Sequence, residues 1–332
     1  MPNQVRWAII GTGDVSAMIA PDFALARNAT VTAVCSRALD TAETFADRFA
    51  IPRRYDNLGL LLDDAEIDAV YIATPHGTHH SLAMTALAAG KHVMVEKPMA
   101  TSSAQVRDIL GYARGRGLLA MQAMWSDFSP MAALLKQLLD SDAIGAVTSV
   151  QASFGLPFPR STGSRWNAAL GGSTLLDQGI YPVALALSVL GRPDHIRARG
   201  RVTANGIDLA EHITFEYKDG RYAQLAASMV DFVEPSATIN GTTGWVSLPA
   251  PFWVADRLEL RSGGFPQALM NSRPRSVTVE GHGFVPMIRA ASEAILEQRT
   301  EHPLHDAART LAVFAALDEI RSQLPPGTAV LG

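Results

Sequence analysis

Short apolar runs recur through the first 125 residues at Arg6–Ile10, Thr30–Cys35, Ala69–Ala73, His92–Val95 and Leu118–Met121. Between them, Asp40–Phe49, His79–Ala89 and Ser103–Arg116 carry apolar residues at helical spacing. Asp40 with Glu43 suits a capping box, and Gly90 and Gly117 suit helix stops. Strands that are apolar throughout, alternating with helices, predict a parallel sheet covered on both faces. The expected first domain is an α/β unit with a doubly wound parallel sheet over residues 1–125.

The pattern changes afterwards. A helix over Met131–Leu139 precedes a strand around Ala146–Phe154, a glycine-rich loop to Gly172 and a long helix over Ser173–Leu190. Strand-like segments then follow from His195 to about Leu260. Several alternate, as in "HITFEYKDGRYAQLAASMV", where Asp219-Gly220 marks a hairpin turn. Residues 126–332 are thus expected to form an α+β domain with a large, mostly antiparallel open sheet. Such a sheet has a face to cover, which predicts a homodimer or a dimer of dimers through it. The last helices, Gly283–Gln298 and Leu304–Leu324, are free to pack on either domain.

Composition narrows the function classes. Hydrophobic residues make up 48% and charged residues 18%, as in an ordinary globular protein with a sizeable core. A net charge of −4 supplies no broad cationic field, which argues against nucleic acid and anionic membrane partners. With Cys35 the only cysteine, no internal disulfide forms. No apolar run approaches the roughly 20 residues of a membrane span, and a strand starting near Val5 leaves no room for a cleaved export signal. A cytoplasmic protein with a small-molecule substrate is the expectation.

Chemistry begins at "VRWAIIGTGDVSAMIA". Gly11-Thr12-Gly13 follows the first strand and opens a helix, with Val15 and the small Ser16 behind. The first glycine permits a tight turn, and the second lets backbone amides approach a pyrophosphate, so residues 1–125 are expected to form a Rossmann dinucleotide-binding domain. Asp14 would repel a diphosphate unless it points away. At the end of the second strand, NAD would call for an acid and NADP for an arginine. The chain has Ser36-Arg37 there and no acid before Asp40. NADP is therefore predicted over NAD.

Thr74, Pro75 and His76 fall at the carboxyl end of the third apolar run, where doubly wound sheets bind ligands. Adjacent His79 and His80 do not share a helical face and have no Glu-x-x-His partner, so helix-start and cofactor-wall roles are favoured over a metal. Next, "HVMVEKPMA" runs a buried strand into Glu96-Lys97-Pro98. Together, the glycine loop, "TPHGTHH", "AGKHVMVEKPMA" and the later "GGSTLLDQGIYPV" resemble the Gfo/Idh/MocA family of NAD(P)-dependent oxidoreductases over nearly the whole chain. The resemblance implies that Lys97 lies beside nicotinamide and substrate, next to a proline often in a cis bond.

It also draws attention to Asp177 and Tyr181, four residues apart on one helix. Tyrosine at that position is similar to the glucose–fructose oxidoreductase and to the dihydrodiol and D-xylose dehydrogenase branches of the family. Trp125, Phe154 and Trp166 then resemble substrate-pocket positions, although Trp125 and Phe154 equally suit a core. Related chains often carry Trp-Arg before the glycines; here Trp166-Asn167 stands there, with Arg165 on the other side. Pro182 should kink the helix.

Oxidising an alcohol needs a proton acceptor as well as a hydride acceptor. A free tyrosine titrates near pH ~10, and a neighbouring cation lowers that. Lys97 would do this for Tyr181 while Asp177 orients the substrate hydroxyl or the lysine; Lys97 as the direct base is equally compatible. The leading expectation is an NADP-dependent oxidoreductase of a sugar, polyol or trans-dihydrodiol. A reductase of a dicarbonyl or anhydro-sugar and a catalytically silent NADP(H) sensor are the alternatives.

Overall fold

The apolar runs of the first half become one parallel sheet, because strands buried on both faces need apolar residues at every position. Residues 4–159 and 163–327 are described by the structure, a computed structural model. The strands of this sheet are β1 (Val5–Ile10), β2 (Ala29–Cys35), β3 (Arg53–Tyr55), β4 (Ala69–Ile72), β5 (His92–Glu96) and β6 (Ala120–Ala123). They lie in the order β3-β2-β1-β4-β5-β6 and all pair in parallel. Register aligns Ile10 with Cys35 and Ile72, Ile72 with Val95, and Glu96 with Ala123. The residues after each strand therefore share the carboxyl edge, and the order reverses between β1 and β4, where such sheets open a ligand crevice.

Helices α1 (Asp14–Leu25), α2 (Leu39–Phe49), α3 (Leu58–Leu62), α4 (His76–Ala88) and α5 (Ser103–Gly115) make the crossovers. The capping box expected at Asp40 and Glu43 does not form. Helix α2 starts one residue earlier, with Ala38 at its N-cap and no side-chain cap, so Asp40 lies inside the first turn. A variant of the capping box occurs at α5, with the N–H of the residue before the N-cap in place of the N-cap's own. There Ser102 Oγ accepts from the Gln105 N–H at 3.4 Å and Gln105 Oε1 accepts from the Thr101 N–H at 3.0 Å.

Two compact units divide the chain: Met1–Ser129 with Val279–Leu311, and Pro130–Thr278 with Ala312–Gly332. The first unit recovers a distant segment because its core contains polar groups that need partners. The fully buried Asp22 carboxylate accepts from the backbone N–H groups of His282, at 2.9 and 3.0 Å, and Phe284, at 2.9 Å. Trp7 Nε1 donates to Ser292 Oγ at 3.0 Å.

In the second unit, α6 (Pro130–Asp140) precedes β7 (Val147–Gly155), and α7 (Ile180–Leu190) precedes β8 (His195–Val202), β9 (Asp208–Glu216) and β10 (Tyr222–Ser228). Then come β11 (Ala237–Gly241), β12 (Trp245–Leu248), β13 (Arg257–Arg261), α8 (Gln267–Met270) and β14 (Arg273–Ser276). The sheet order is β14-β13-β12-β11-β7-β10-β9-β8, antiparallel except where β7 pairs with β10. Asp219-Gly220 makes the expected turn between β9 and β10, with Gly220 at φ 87°. After α9 (Val285–Leu296) in the first unit, α10 (Ala307–Ser322) ends in the second.

The helix expected over Ser173–Leu190 is divided. A π-helical turn spans Leu175–Gly179, and α7 follows with Pro182 near its start. Proline has no N–H to give the fourth residue back, so the wide turn lies where that donor is missing. The stretch Ala168–Leu190 is long and apolar enough to cross a membrane, contrary to the reading of apolar runs alone, yet 78% of its most apolar window is buried inside the protein.

That helix is held from below. The Asp208 carboxylate accepts from the Leu175 N–H at 2.6 Å, and on the same strand Glu211 is fully buried. Burial, and then the adjoining Asp208 charge, push the Glu211 carboxyl well above the usual range. A carboxyl whose pKa is higher folded than unfolded stabilises the fold below its unfolded value and loses that contribution as pH rises toward the folded value. Wild-type unfolding free energy should therefore decline above about pH 4.3, and Glu211→Gln should reduce the decline. Parallel denaturation curves across pH would mean that Glu211 is ionised in the native state.

Candidate active site

The residues that bear chemistry fall into two groups, one in each unit. In the first unit they follow the strands along the carboxyl edge. Gly11 leaves β1 at φ 101°, and a Cβ there would stand 2.3 Å from the Ala73 carbonyl oxygen, so only glycine fits. Gly13 is the N-cap of α1, which has no side-chain cap, and a Cβ on it would meet nothing within 4 Å. No cap side chain therefore occupies the first amides of α1, as an anion cradle requires. Asp14 and Val15 are exposed in that first turn, while Ser16 is buried behind it.

At the end of β2, Ser36 Oγ lies 3.3 Å from Thr12 Oγ1, and Arg37 is exposed beside it. After β4, Thr74 Oγ1 meets Thr78 Oγ1 at 2.7 Å, Pro75 is the N-cap of α4, and His76 begins that helix. His79 is fully buried and acts as a strut, with Nε2 2.7 Å from the Thr74 carbonyl and Nδ1 2.8 Å from the Pro98 carbonyl. Burial lowers its pKa, against the two carbonyl contacts that raise it. A neutral ring has one N–H to donate between these two carbonyls, and with a carbonyl against each nitrogen neither is placed to serve a ligand.

β5 ends on Glu96, whose carboxylate accepts from Tyr71 Oη at 2.5 Å and from the Lys97 N–H at 3.1 Å. The Lys97–Pro98 bond is cis, as the family resemblance implied. The Glu96 carboxylate on one side and His79 at the Pro98 carbonyl on the other bracket the backbone from which Lys97 leaves the carboxyl edge. The uncapped helix start, the Gly11 approach and the Thr12–Ser36–Arg37 cluster fit a dinucleotide, with Lys97 two strands away from the glycine loop.

In the second unit, a Cβ on Gly172 would stand 2.3 Å from the Arg165 carbonyl oxygen. The glycine lets the short turn carrying Arg165 lie against the helix start. From there Arg165 Nε binds Asp177 Oδ2 at 2.5 Å, and the guanidinium lies 4.2 Å over the Phe158 ring. Asn167 binds backbone instead, its Oδ1 accepting from the Ala169 N–H at 3.0 Å. Trp166 packs with Phe158 against Ile207, Leu209 and Met229.

Tyr181 joins an aromatic cluster with Phe154 and Trp253. Phe154 and Trp253 stack at 3.7 Å and 8°, and Tyr181 lies 5.9 and 5.6 Å from them. Trp253 was missed in the sequence, where the only cue is an aromatic pair in the proline-flanked "PAPFWV". Trp125 is packed in the first unit, stacked on Phe284 at 4.6 Å. Residues 160–162, in the glycine-rich loop expected before Gly172, lie outside the described residues.

Comparison with known proteins agrees with this division. Residues 5–124 match the oxidoreductase family with an NAD-binding Rossmann fold, and residues 132–247 match the GFO/IDH/MocA C-terminal domain. Trans-1,2-dihydrobenzene-1,2-diol dehydrogenase of Mus musculus is 34% identical over 255 residues, covering 74% of each chain. The enzyme of that name from Sus scrofa is 30% identical over 329 residues, covering 96% of this chain and 97% of its own. A solved 3-ketoreductase from Actinomadura kijaniata, in complex with NADP and TDP-benzene, has TM-score 0.87 and 26% identity, covering 98% of this chain and 99% of its own.

Gly11→Ala should cost at least about 1–3 kcal/mol from backbone strain alone and abolish dinucleotide binding, read as the denaturation midpoint and by fluorescence titration. Native stability with full nucleotide affinity would contradict the role given to the Gly11–Ala73 approach.

Proposed function

The chain belongs to the Gfo/Idh/MocA family of oxidoreductases, and on that premise we propose an NADP-dependent enzyme. It moves a hydride to or from a hydroxyl or carbonyl carbon of a sugar, polyol or trans-dihydrodiol. The observation that carries the substrate class is the Tyr181–Phe154–Trp253 cluster. It sets a phenol among flat apolar faces suited to stacking on a sugar or a ring diol. The dehydrogenases similar to this chain act on a trans-dihydrodiol by name, and the similar ketoreductase reduces a ketone by name. Structures of that ketoreductase also include a tyrosine-to-phenylalanine variant and lysine variants, the residue types assigned here to proton transfer.

When bound, the nicotinamide supplies or accepts the hydride. The chain's own work is then to hold the substrate and handle the proton. In the oxidising direction Tyr181 takes the hydroxyl proton, and the Lys97 ammonium stabilises the phenolate. In the reducing direction Tyr181 returns it. Asp177, kept oriented by Arg165, accepts a hydrogen bond from the substrate and fixes its face. NADP is favoured because Arg37 directly follows the Thr12–Ser36 hydroxyl pair at the end of β2, and the segment after that strand carries no acid before Asp40. NADP in the solved ketoreductase supports the same choice.

A panel of sugars, dicarbonyl sugars and trans-dihydrodiols, followed by NADPH absorbance in both directions, tests the proposal. Substrate-dependent turnover is expected; nucleotide binding without any turnover would point to a silent binder. Arg37→Ala should raise KM for NADP⁺ about 10- to 100-fold, from the roughly 1.5–3 kcal/mol of charged hydrogen bonds, and leave that for NAD⁺ nearly unchanged. Equal effects on the two would overturn the NADP assignment.

A further inference from the structure

The peptide unit between Pro98 and Met99 is held at both poles. Its carbonyl meets His79 Nδ1 at 2.8 Å, and its N–H donates to Gln122 Oε1 at 2.9 Å. Gln122 is fully buried on β6. With its oxygen committed to Met99, its amide nitrogen faces His305 Nε2 at 3.4 Å. An N–H donor there requires His305 Nε2 to be an unprotonated acceptor.

The other side of the ring enforces this. His305 Nδ1 lies 2.8 Å from Asp127 Oδ2, and the same oxygen accepts from Arg309 Nε at 2.9 Å. A carboxylate anchored by a guanidinium keeps the ring proton on Nδ1. Thr310 Oγ1, 3.1 Å from His305 Nε2 and 3.0 Å from the Asp306 carbonyl, is compatible with that tautomer. The buried ring is thus held by groups from β6, from the short helical turn Trp125–Phe128 and from α10.

We propose that Asp127, His305 and Gln122 form a positioning relay that holds the turn after Lys97. By fixing the tautomer of His305, Asp127 fixes which end of the Gln122 amide faces Met99. With the wrong end presented, two N–H donors would oppose each other in the interior, and the turn would lose its anchor. His305 and Gln122 act through the backbone of the turn and do not touch the reacting atoms. The functional consequence rests on the reading of Lys97 given above; the anchoring itself does not.

The test uses Gln122→Met and His305→Leu, which remove the acceptor chain, and His305→Gln, which can again present an oxygen to the Gln122 amide. Hydrogen exchange of the segment spanning Lys97–Ala100 should accelerate at least about tenfold in the first two variants and stay near wild type in His305→Gln. With a substrate found in the panel, kcat should fall about 10- to 100-fold in the first two, with KM for NADPH within about threefold and His305→Gln largely restored. Unchanged exchange at the turn in His305→Leu and Gln122→Met would overturn the relay. So would His305→Gln exchanging as fast there as His305→Leu while the rest of the chain stays protected. Should no substrate turn over, or should Lys97→Met leave kcat intact, the reading of Lys97 fails while the exchange data still decide the relay.

Discussion

A carboxylate buried at the end of a parallel strand is the constraint on which the backbone around Lys97 depends. Removing Glu96 from water would cost several kcal/mol without compensation. Its compensation is local: the Tyr71 hydroxyl from β4 and the Lys97 amide both bind it. The interaction that makes the burial tolerable therefore also fixes the backbone of the lysine. Two residues on, His79 and Gln122 grip the next peptide unit. Lys97 sits between two immobilised points, so its long side chain needs to find its position from a backbone that is already set.

The second unit solves a similar problem with different means. Asp177 is buried and one of its oxygens is taken by Arg165, which reaches it only because Gly172 admits the close approach of the preceding turn. Asp208 holds the first amide of the π-helical turn, so the segment bearing Asp177 and Tyr181 is fixed from the sheet as well. The bulk of this region is aromatic. Phe154 and Trp253 stack nearly parallel and leave the Tyr181 ring tilted against both. Phenol and carboxylate thus stand in an environment that is largely apolar but locally polar, a composition common in small-molecule sites.

Much of this was legible in the chain because its causes are local. Continuous apolar runs announce doubly covered strands, a glycine at the first strand–helix junction announces a close backbone approach, and lysine before proline marks a turn. What the sequence concealed has partners far apart. Nothing near Asp22 reveals that its carboxylate caps the segment at His282 and Phe284. Trp253 joins Phe154 only because β7 lies inside the sheet, between β11 and β10. The capping box misled for a different reason: Asp40 and Glu43 have the right spacing, but the chain turns helical before reaching Asp40. Glu211 was equally hidden, since an acid in an alternating strand looks solvated until the strand's place in the sheet is known.

The proposed reaction gives the Lys97 ammonium and the Tyr181 phenol a shared part in one proton transfer. A kinetic cycle of Lys97→Met, Tyr181→Phe and the double variant addresses this most directly. Each single change is expected to lower kcat by about 10²- to 10⁴-fold, and the double variant to be hardly worse than the poorer single. If the two losses instead multiply in full, the lysine and the tyrosine work independently, and the shared proton transfer is contradicted.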